Sequence, residues 1–169
     1  MANQQARSNE EITEIYRRQV KTVYRVCFAY MKNPYDTEDA VQETFFKLIK
    51  SAPPFDGEEH EKAWLIRVAT NVCKNKLTHW FRKIANVADY GHELKTEMAE
   101  IDETLEVIMG LPDRYKTAVY LYYYEGYTSP EIAKMLGKPP STVRNHLYEA
   151  RRILKDKLGG QFDEESEDH

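Results

Sequence analysis

Apolar residues recur at spacings of three and four along almost the whole chain, and this period limits the possible folds more than any other feature of the sequence. The first run consists of Ile12, Ile15, Tyr16, Val20, Val23, Tyr24, Cys27 and Met31. It predicts an amphipathic helix over residues 10–32 that ends at Asn33 and Pro34. No stretch alternates apolar and polar residues with the period of two that indicates a half-buried strand. The pattern therefore predicts an all-α fold.

Two further helices are predicted in the first half of the chain. The second begins near Asp36 or Thr37, and its predicted core stripe consists of Val41, Phe45, Leu48 and Ile49. At about 100° per residue, the opposite face carries Asp39, Glu43, Phe46 and Lys50. The aromatic ring of Phe46 thus lies among charged groups on this face. After the irregular stretch SAPPFDGEEH, a third helix is predicted whose inward residues are Trp64, Leu65, Val68, Val72 and Leu77.

The helical period resumes near residue 104 after a segment of different composition. Residues 86–103 contain few large apolar side chains and most of the acidic excess, which is typical of a linker or a marginal helix between modules. Beyond this linker, Leu105, Ile108 and Met109 predict one short helix. Pro112 opens another that runs to Gly126. The chain is therefore expected to form two small helical domains, over residues 10–85 and 104–158, with an acidic disordered tail at 159–169.

A break in the sequence MLGKPPSTVRNHLYEARRIL predicts a helix-turn-helix in the second domain. Thr128 and Glu131 have the spacing of a capping box, so a short helix begins there. Gly137 can end that helix because glycine adopts positive φ without a side-chain clash. Pro139 and Pro140 cannot continue a helix, but they can begin a new one.

The helix after this turn has one apolar face and one polar face. With Val143 at 0°, the predicted buried stripe comprises Val143, Leu147, Ala150, Leu154 and Leu158. The outer face carries Asn145, Tyr148, Glu149 and Arg152, flanked by Arg144 and Arg151. In the major groove of DNA, asparagine can pair with adenine and arginine with guanine, and glutamate can accept from cytosine. An ordinary solvated helix is the alternative, but the preceding capped helix and turn favour DNA reading.

The net charge of −4 conceals blocks of opposite sign. Residues 1–85 carry 14 Lys and Arg against 11 Asp and Glu, and residues 111–159 carry 9 against 5. The segment 86–110 has 1 basic residue against 7 acids, and the tail 160–169 has 5 acids and no base. Two basic blocks separated by an acidic one indicate two modules on a linker, followed by a solvated acidic tail. The alternative, which the charges alone leave equally open, is that they only keep the surfaces soluble.

Several other classes of protein find little support in the sequence. No apolar run approaches the roughly 20 residues of a membrane span, and the N-terminus lacks the order of a signal peptide, so no membrane insertion and a cytoplasmic location are expected. Cys27 and Cys73 stand alone, which predicts small buried side chains and no metal site. The five histidines are scattered and no glycine-rich phosphate loop occurs, so neither an enzyme nor a cofactor is expected.

Three stretches resemble the bacterial sigma-70 family, specifically the extracytoplasmic-function (ECF) RNA polymerase sigma factors. DTEDAVQETFFKLIK is similar to the helix of region 2 that docks on polymerase, and AWLIRVATNVCKNKLTHWFRK is similar to the promoter-melting helix. The whole of LPDRYKTAVYLYYYEGYTSPEIAKMLGKPPSTVRNHLYEARRILKDKL is similar to region 4, which contains the helix-turn-helix. The likeness covers about residues 10–84 and 104–158.

The resemblance implies a non-catalytic initiation factor that binds the largest catalytic subunits of core RNA polymerase and directs it to promoter DNA. It also implies an anti-sigma factor as a partner. The implied polymerase contacts are Asp39, Gln42, Glu43 and Phe46. The implied minus-10 contacts are Phe55, Asn71, Lys74, Lys76, His79, Trp80, Arg82 and Lys83. The implied minus-35 contacts are Ser141, Thr142, Arg144, Asn145, Tyr148 and Glu149, with Arg151 and Arg152 on phosphates.

This chain departs from the family pattern in the second domain. Glu149 and His146 occupy positions that are commonly basic, and Pro139 with Pro140 replaces a more ordinary turn. These departures imply an altered promoter preference. The alternative function is a stand-alone helix-turn-helix regulator that binds DNA as a dimer, which failure to bind core polymerase would favour.

Overall fold

The computed structural model describes residues 6–83 and 102–158, and within these ranges every regular element is helical, which confirms the predicted all-α class. The chain divides into two compact units, Met1–Ile101 and Asp102–His169. The first unit contains α1 (Asn9–Met31), α2 (Pro34–Ser51) and α3 (Glu58–Lys83). The second contains α4 (Glu103–Met109), α5 (Asp113–Val119), a π-helical turn (Tyr120–Tyr124), α6 (Ser129–Leu136) and α7 (Pro140–Leu158).

The three helices of the first unit each pack against the other two. Their shared core includes Val23, Tyr24, Phe28, Leu48, Leu65, Ile66 and both cysteines. The predicted inward residues of α3 divide into two groups, because Leu65 and Val72 are buried whereas Trp64, Val68 and Leu77 are half-buried. A three-helix unit gives each helix only two neighbours, so each helix buries a narrow stripe.

Two details of α1 and α2 differ from the sequence prediction. α2 begins at Pro34, two residues before the predicted start, because the Asn33 side chain accepts from the Asp36 N–H at 2.9 Å and Pro34 fits the first helical position. Tyr16 belongs to the apolar run that predicts the buried side of α1, but it is 38% exposed, with its ring packed edge-on against Phe45.

Ile49 was also expected in the core, and it is 55% exposed. The stripe that α2 buries comprises Thr37, Ala40, Val41, Thr44, Phe45 and Leu48. Ile49 lies roughly 80° from Val41 around the helix, on the side away from Ala40 and Thr44. The buried stripe is centred on small and polar residues, which lets the helices approach closely and turns Ile49 outward.

A buried carboxylate holds α3 against α1. Glu61 is 4% exposed and accepts from Arg18 Nε at 3.0 Å, from Arg18 Nη2 at 2.9 Å and from Gln19 Nε2 at 2.8 Å. Burial alone would raise the pKa of Glu61, but the hydrogen bonds from Arg18 and Gln19 outweigh it and hold the pKa below its ordinary value of 4.5. The carboxylate is therefore charged and fully paired near neutral pH.

In the second unit, α5 and α6 both pack on α7. The prediction of one regular helix from Pro112 to Gly126 was wrong in its second half, where the backbone widens into the π-helical turn. The Glu125 N–H donates to the Tyr120 carbonyl at 3.2 Å, and the Tyr120 hydroxyl donates to Glu125 at 2.6 Å. The rings of Tyr120 and Tyr124 stack at 5.0 Å. The wide turn thus keeps Tyr120 in the core while its hydroxyl stays paired.

The predicted helix-turn-helix is confirmed in its capping and in its turn. Thr128 and Glu131 form a capping box at the start of α6. Gly137 adopts φ 66°, and the Lys138 N–H closes the turn on the Ala133 carbonyl at 3.0 Å. Pro140 is the first residue of α7. The break in the sequence therefore ends α6 and begins α7 within three residues.

Glu61→Gln should reduce the free energy of unfolding by about 1–3 kcal/mol at neutral pH, because Arg18 loses a buried charged partner. The depressed folded-state pKa stabilises the fold fully above pH 4.5, and this contribution disappears as the pH falls through the folded-state pKa. Urea unfolding at pH 7 and pH 4 should show a smaller difference between variant and wild type at the lower pH. Glu58→Gln is the control, because Glu58 is 71% exposed. An equal effect of both substitutions would contradict the role of Glu61.

Gly137→Ala should lower the stability of the second unit by about 1 kcal/mol, because an alanine Cβ clashes in the left-handed region. Gly110→Ala is the matched control, since Gly110 has φ −85°. Thermal unfolding of both variants, followed by circular dichroism, distinguishes them. Equal melting temperatures would show that the turn tolerates a side chain.

Candidate functional site

One face of α2 combines acidic, polar and apolar side chains that are open to solvent. Asp39, Gln42 and Phe46 are exposed and Glu43 is half-buried, as the sequence pattern predicts for a helix face. Phe46 is 57% exposed, and Ile49, one turn further on, is exposed to nearly the same extent. Ile49 could not be assigned to this surface from the sequence, because an isoleucine three residues after an exposed phenylalanine is equally compatible with a core position. We call Asp39, Gln42, Glu43, Phe46 and Ile49 the α2 docking surface.

Lys76 of α3 is bound to the acidic end of this surface. Its Nζ lies 2.7 Å from Asp39 Oδ2 and 3.2 Å from Glu43 Oε1. Burial lowers the pKa of Lys76, but the hydrogen bonds to the two carboxylates raise it above the ordinary value of 10.5. A cavity of about 250 Å³ beside this ion pair is lined by Met31, Asp36, Asp39, Lys76 and His79. Lys76 therefore pairs with the acids of α2, and of the other predicted DNA contacts His79 lines the same cavity.

A second face, on α3, carries the predicted base-reading amide. Asn71 is exposed, and counting about 100° per residue places Trp64, Arg67 and Lys74 within roughly 60° of it. Lys76 lies roughly 140° away and His79 roughly 80° away. Arg67 is also exposed; it was not among the predicted contacts, although its position four residues before Asn71 places it on the same helix face. Trp80, Arg82 and Lys83 lie on α3, but their side chains are outside the described part of the chain.

Phe55 lies in the loop between α2 and α3 and is held by three neighbours. Its ring centroid is 5.2 Å from that of His60 and 5.9 Å from that of Trp64. The guanidinium of Arg7 lies 4.7 Å from the same ring. Trp64 connects this cluster to the face of Asn71, two helical turns or about 10 Å further along α3. The structure therefore places Phe55 and Asn71 along one continuous side of α3.

The predicted reading face of α7 is open to solvent. Ser141, Arg144, Asn145 and Arg152 are exposed, Thr142 is half-buried, and Tyr148 is 58% exposed. Glu149 Oε1 accepts from Arg152 Nη1 at 2.9 Å, so the carboxylate is paired with a cation of its own helix. This contact partly cancels the negative charge that the sequence places on the reading face.

Two predicted residues of α7 differ from their neighbours in burial. Arg151 is half-buried, and its Nε has no hydrogen-bond partner among the residues that the structure describes. His146 is half-buried with its ring 5.4 Å from that of Tyr115 on α5. The His146 ring therefore packs toward α5, and an effect of His146 on promoter preference stays a prediction.

The described residues do not assemble a metal centre. Among them, no group of three or more His, Cys, Asp or Glu side chains could hold a metal ion. Cys27 and Cys73 are both buried and free, as the sequence predicts, and burial raises the pKa of the Cys27 thiol. In the described parts of the chain, no helix is long and apolar enough to cross a membrane.

Comparisons with known proteins match both units. A family model described as sigma-70 region 2 matches residues 15–82, and one described as sigma-70, region 4 matches residues 101–154. The ECF RNA polymerase sigma-E factor of Haemophilus influenzae is 30% identical over 142 residues, which cover 73% of this chain and 75% of that protein. The RNA polymerase sigma factor SigV of Bacillus subtilis is 30% identical over 139 residues, with coverage of 80% and 83%.

Solved structures share the fold at low sequence identity. The sigma factor RpoE of Bartonella quintana, in complex with the anti-sigma factor NepR, has a TM-score of 0.68 at 15% identity and covers 90% of this chain and 99% of its own. CnrH, in complex with the cytosolic domain of CnrY, has a TM-score of 0.58 at 18% identity, with coverage of 92% of each chain. These two likenesses concern the fold alone.

Proposed function

The chain belongs to the ECF sigma factors of the sigma-70 family. From this membership we propose which of its exposed faces bind core polymerase and which bind promoter DNA. It binds core RNA polymerase and directs promoter-specific transcription. The observation that carries this function is the presence of region 2 and region 4 in order, each as a compact helical unit. A stand-alone dimeric regulator has no need of a region 2 module, so that alternative is set aside.

The α2 docking surface binds the largest catalytic subunit of core polymerase. Phe46 and Ile49 supply an apolar centre, and Asp39, Gln42 and Glu43 surround it with polar and charged groups. This combination is the usual anatomy of an interface hot spot. Lys76 keeps Asp39 and Glu43 on adjacent turns through contacts of 2.7 and 3.2 Å, so the two carboxylates are already oriented before the partner arrives.

The side of α3 that carries Asn71 binds the minus-10 element. The aromatic ring of Phe55 suits stacking on an unstacked base, and the amide of Asn71 suits its hydrogen-bonding edge. Arg67 and Lys74 supply cations for phosphates on the same side. Sequence resemblance also assigns His79, Trp80, Arg82 and Lys83 to this strand. Lys76 is withdrawn from the set, because its ammonium is paired with two carboxylates of α2.

The exposed face of α7 binds the minus-35 element in the major groove. Asn145, Tyr148 and Arg144 can meet base edges, and Ser141 and Thr142 lie at the N-terminal end of the helix, where backbone N–H groups suit phosphates. Arg152 and Arg151 contact the backbone on either side. Because Glu149 holds Arg152, it determines how much of that cation is available to DNA.

Three further properties follow from family membership as proposals. The protein is non-catalytic and acts in the cytoplasm, where polymerase and the chromosome are found. An anti-sigma factor regulates it, which agrees with the solved structure of the sigma factor RpoE in complex with the anti-sigma factor NepR. Residues 86–103 link the two domains, and 159–169 form an acidic tail; residues 84–101 and 159–169 lie outside the described part of the chain.

Run-off transcription with purified core polymerase and a genomic promoter library tests the proposed function. Transcripts that start only when this protein is added should share two sequence elements separated by a fixed spacing. Core polymerase without the protein is the control. Absence of protein-dependent starts, together with absence of binding to core polymerase, would contradict it.

Phe46→Ala should weaken binding to core polymerase by at least about tenfold, because it removes the apolar centre of the docking surface. Since Phe46 is 57% exposed, the melting temperature of the protein should stay unchanged. Lys47→Ala is the matched control, because Lys47 is exposed on the same helix but outside the surface. Wild-type affinity of the Phe46 variant in a fluorescence-anisotropy titration with core polymerase would exclude this anchor.

Glu149→Arg should change which minus-35 sequence is used, because an arginine would replace a carboxylate that selects against phosphate and guanine contacts. A randomised-promoter transcription assay measures the preference directly. Glu149→Gln is the control, since it releases Arg152 without adding a cation. If the base preference is the same in all three proteins, Glu149 does not contribute to promoter choice.

A further inference from the structure

We propose that Arg7 is a positioning residue for minus-10 recognition, because it fixes the loop that presents Phe55. The inference rests on the proposed role of Phe55 and extends it to a side chain that lies before α1. Arg7 and Phe55 are 48 positions apart in the sequence, so only the folded structure brings them together.

The loop between α2 and α3 depends on an external donor. Pro53 and Pro54 have no N–H group, so this part of the loop has few donors of its own. Arg7 Nη1 donates to the Ala52 carbonyl at 3.2 Å, and Arg7 Nη2 donates to the Pro53 carbonyl. Two successive carbonyls are therefore held by one guanidinium at the point where the chain leaves α2.

The same guanidinium also contacts the ring that the loop presents. Its central carbon lies 4.7 Å from the centroid of Phe55, within the range of a cation–π contact. His60 and Trp64 of α3 pack at an angle against the ring, at 5.2 and 5.9 Å. Phe55 nevertheless remains half-buried, so part of the ring stays open to a base. Arg7 thus couples the backbone of the loop to the orientation of its aromatic side chain.

The chemistry requires arginine in particular. A planar guanidinium can donate to two carbonyls and lie against an aromatic ring at once, whereas the ammonium of lysine is a single compact charge. Arg7 is not needed to cap α1, because Ser8 and Glu11 form that capping box themselves. Substitution of Arg7 should therefore disturb the loop and leave the helix start intact.

The test compares Arg7→Ala, Arg7→Lys and Phe55→Ala in transcription with core polymerase. The measured quantity is the ratio of transcripts from a preferred promoter to those from promoters substituted at single minus-10 bases. Phe55→Ala should lower this ratio at one base position. Arg7→Ala should lower it at the same position, by about three- to tenfold, since both hydrogen bonds to the loop carbonyls are lost and each contributes only a small net free energy. Arg7→Lys should not restore it.

Arg17→Ala is the matched control, because Arg17 is exposed on α1 and should leave the ratio unchanged. Loss of discrimination with Phe55→Ala but not with Arg7→Ala would overturn the role of Arg7 alone. No loss with either would reject the role of Phe55 as well. An equal loss of transcription at every promoter with both Arg7 variants would show general destabilisation and would also overturn the inference.

Discussion

The buried carboxylate of Glu61 links the start of α3 to α1 and so sets how these two helices of the first unit pack. It lies in the first turn of α3 and accepts three hydrogen bonds from adjacent residues of α1, so it fixes where the third helix begins relative to the first. Burying an unpaired carboxylate in this position would cost much free energy. A carboxylate that accepts hydrogen bonds from fixed donors avoids this cost, and the geometry of those bonds restricts how the two helices can pack. The loop that carries Phe55 immediately precedes this point, and Asn71 lies on the same helix further along. The position of both candidate base contacts therefore depends on the Glu61 cluster.

The two surfaces proposed for binding polymerase and the minus-10 element lie on different helices of the first unit. The acids of the α2 docking surface and the cations around Asn71 lie on different helices, which reduces their mutual neutralisation. Lys76 is the exception, because it crosses from α3 to pair with Asp39 and Glu43. The second unit separates support from reading in a similar way: the apolar stripe of α7 packs on α5 and α6, while its opposite face stays in solvent.

The local features of the fold could be predicted because they depend on neighbouring residues. A capping box needs only Thr128 and Glu131, and the end of α6 needs only a glycine that tolerates positive φ. The exposure of Phe46 also follows from helical periodicity. Ile49 and Tyr16 could not be placed in this way, because residues at the edge of an apolar stripe become buried only if a neighbouring helix covers them. The π-helical turn likewise depends on the packing of Tyr120 and Tyr124.

By itself, the sequence determined the helical class and the family, and it predicted the domain bounds and the residues proposed to read DNA. These properties are encoded in short-range periodicity, capping and continuous motifs. Only the tertiary structure decided the partners of the charged and aromatic side chains. Lys76 joins acids 33 and 37 positions away, and Arg7 reaches Phe55 across two helices. Such contacts depend on how whole helices pack against one another. Because the two partners are far apart in the sequence, the spacing of residues does not predict which side chains will meet.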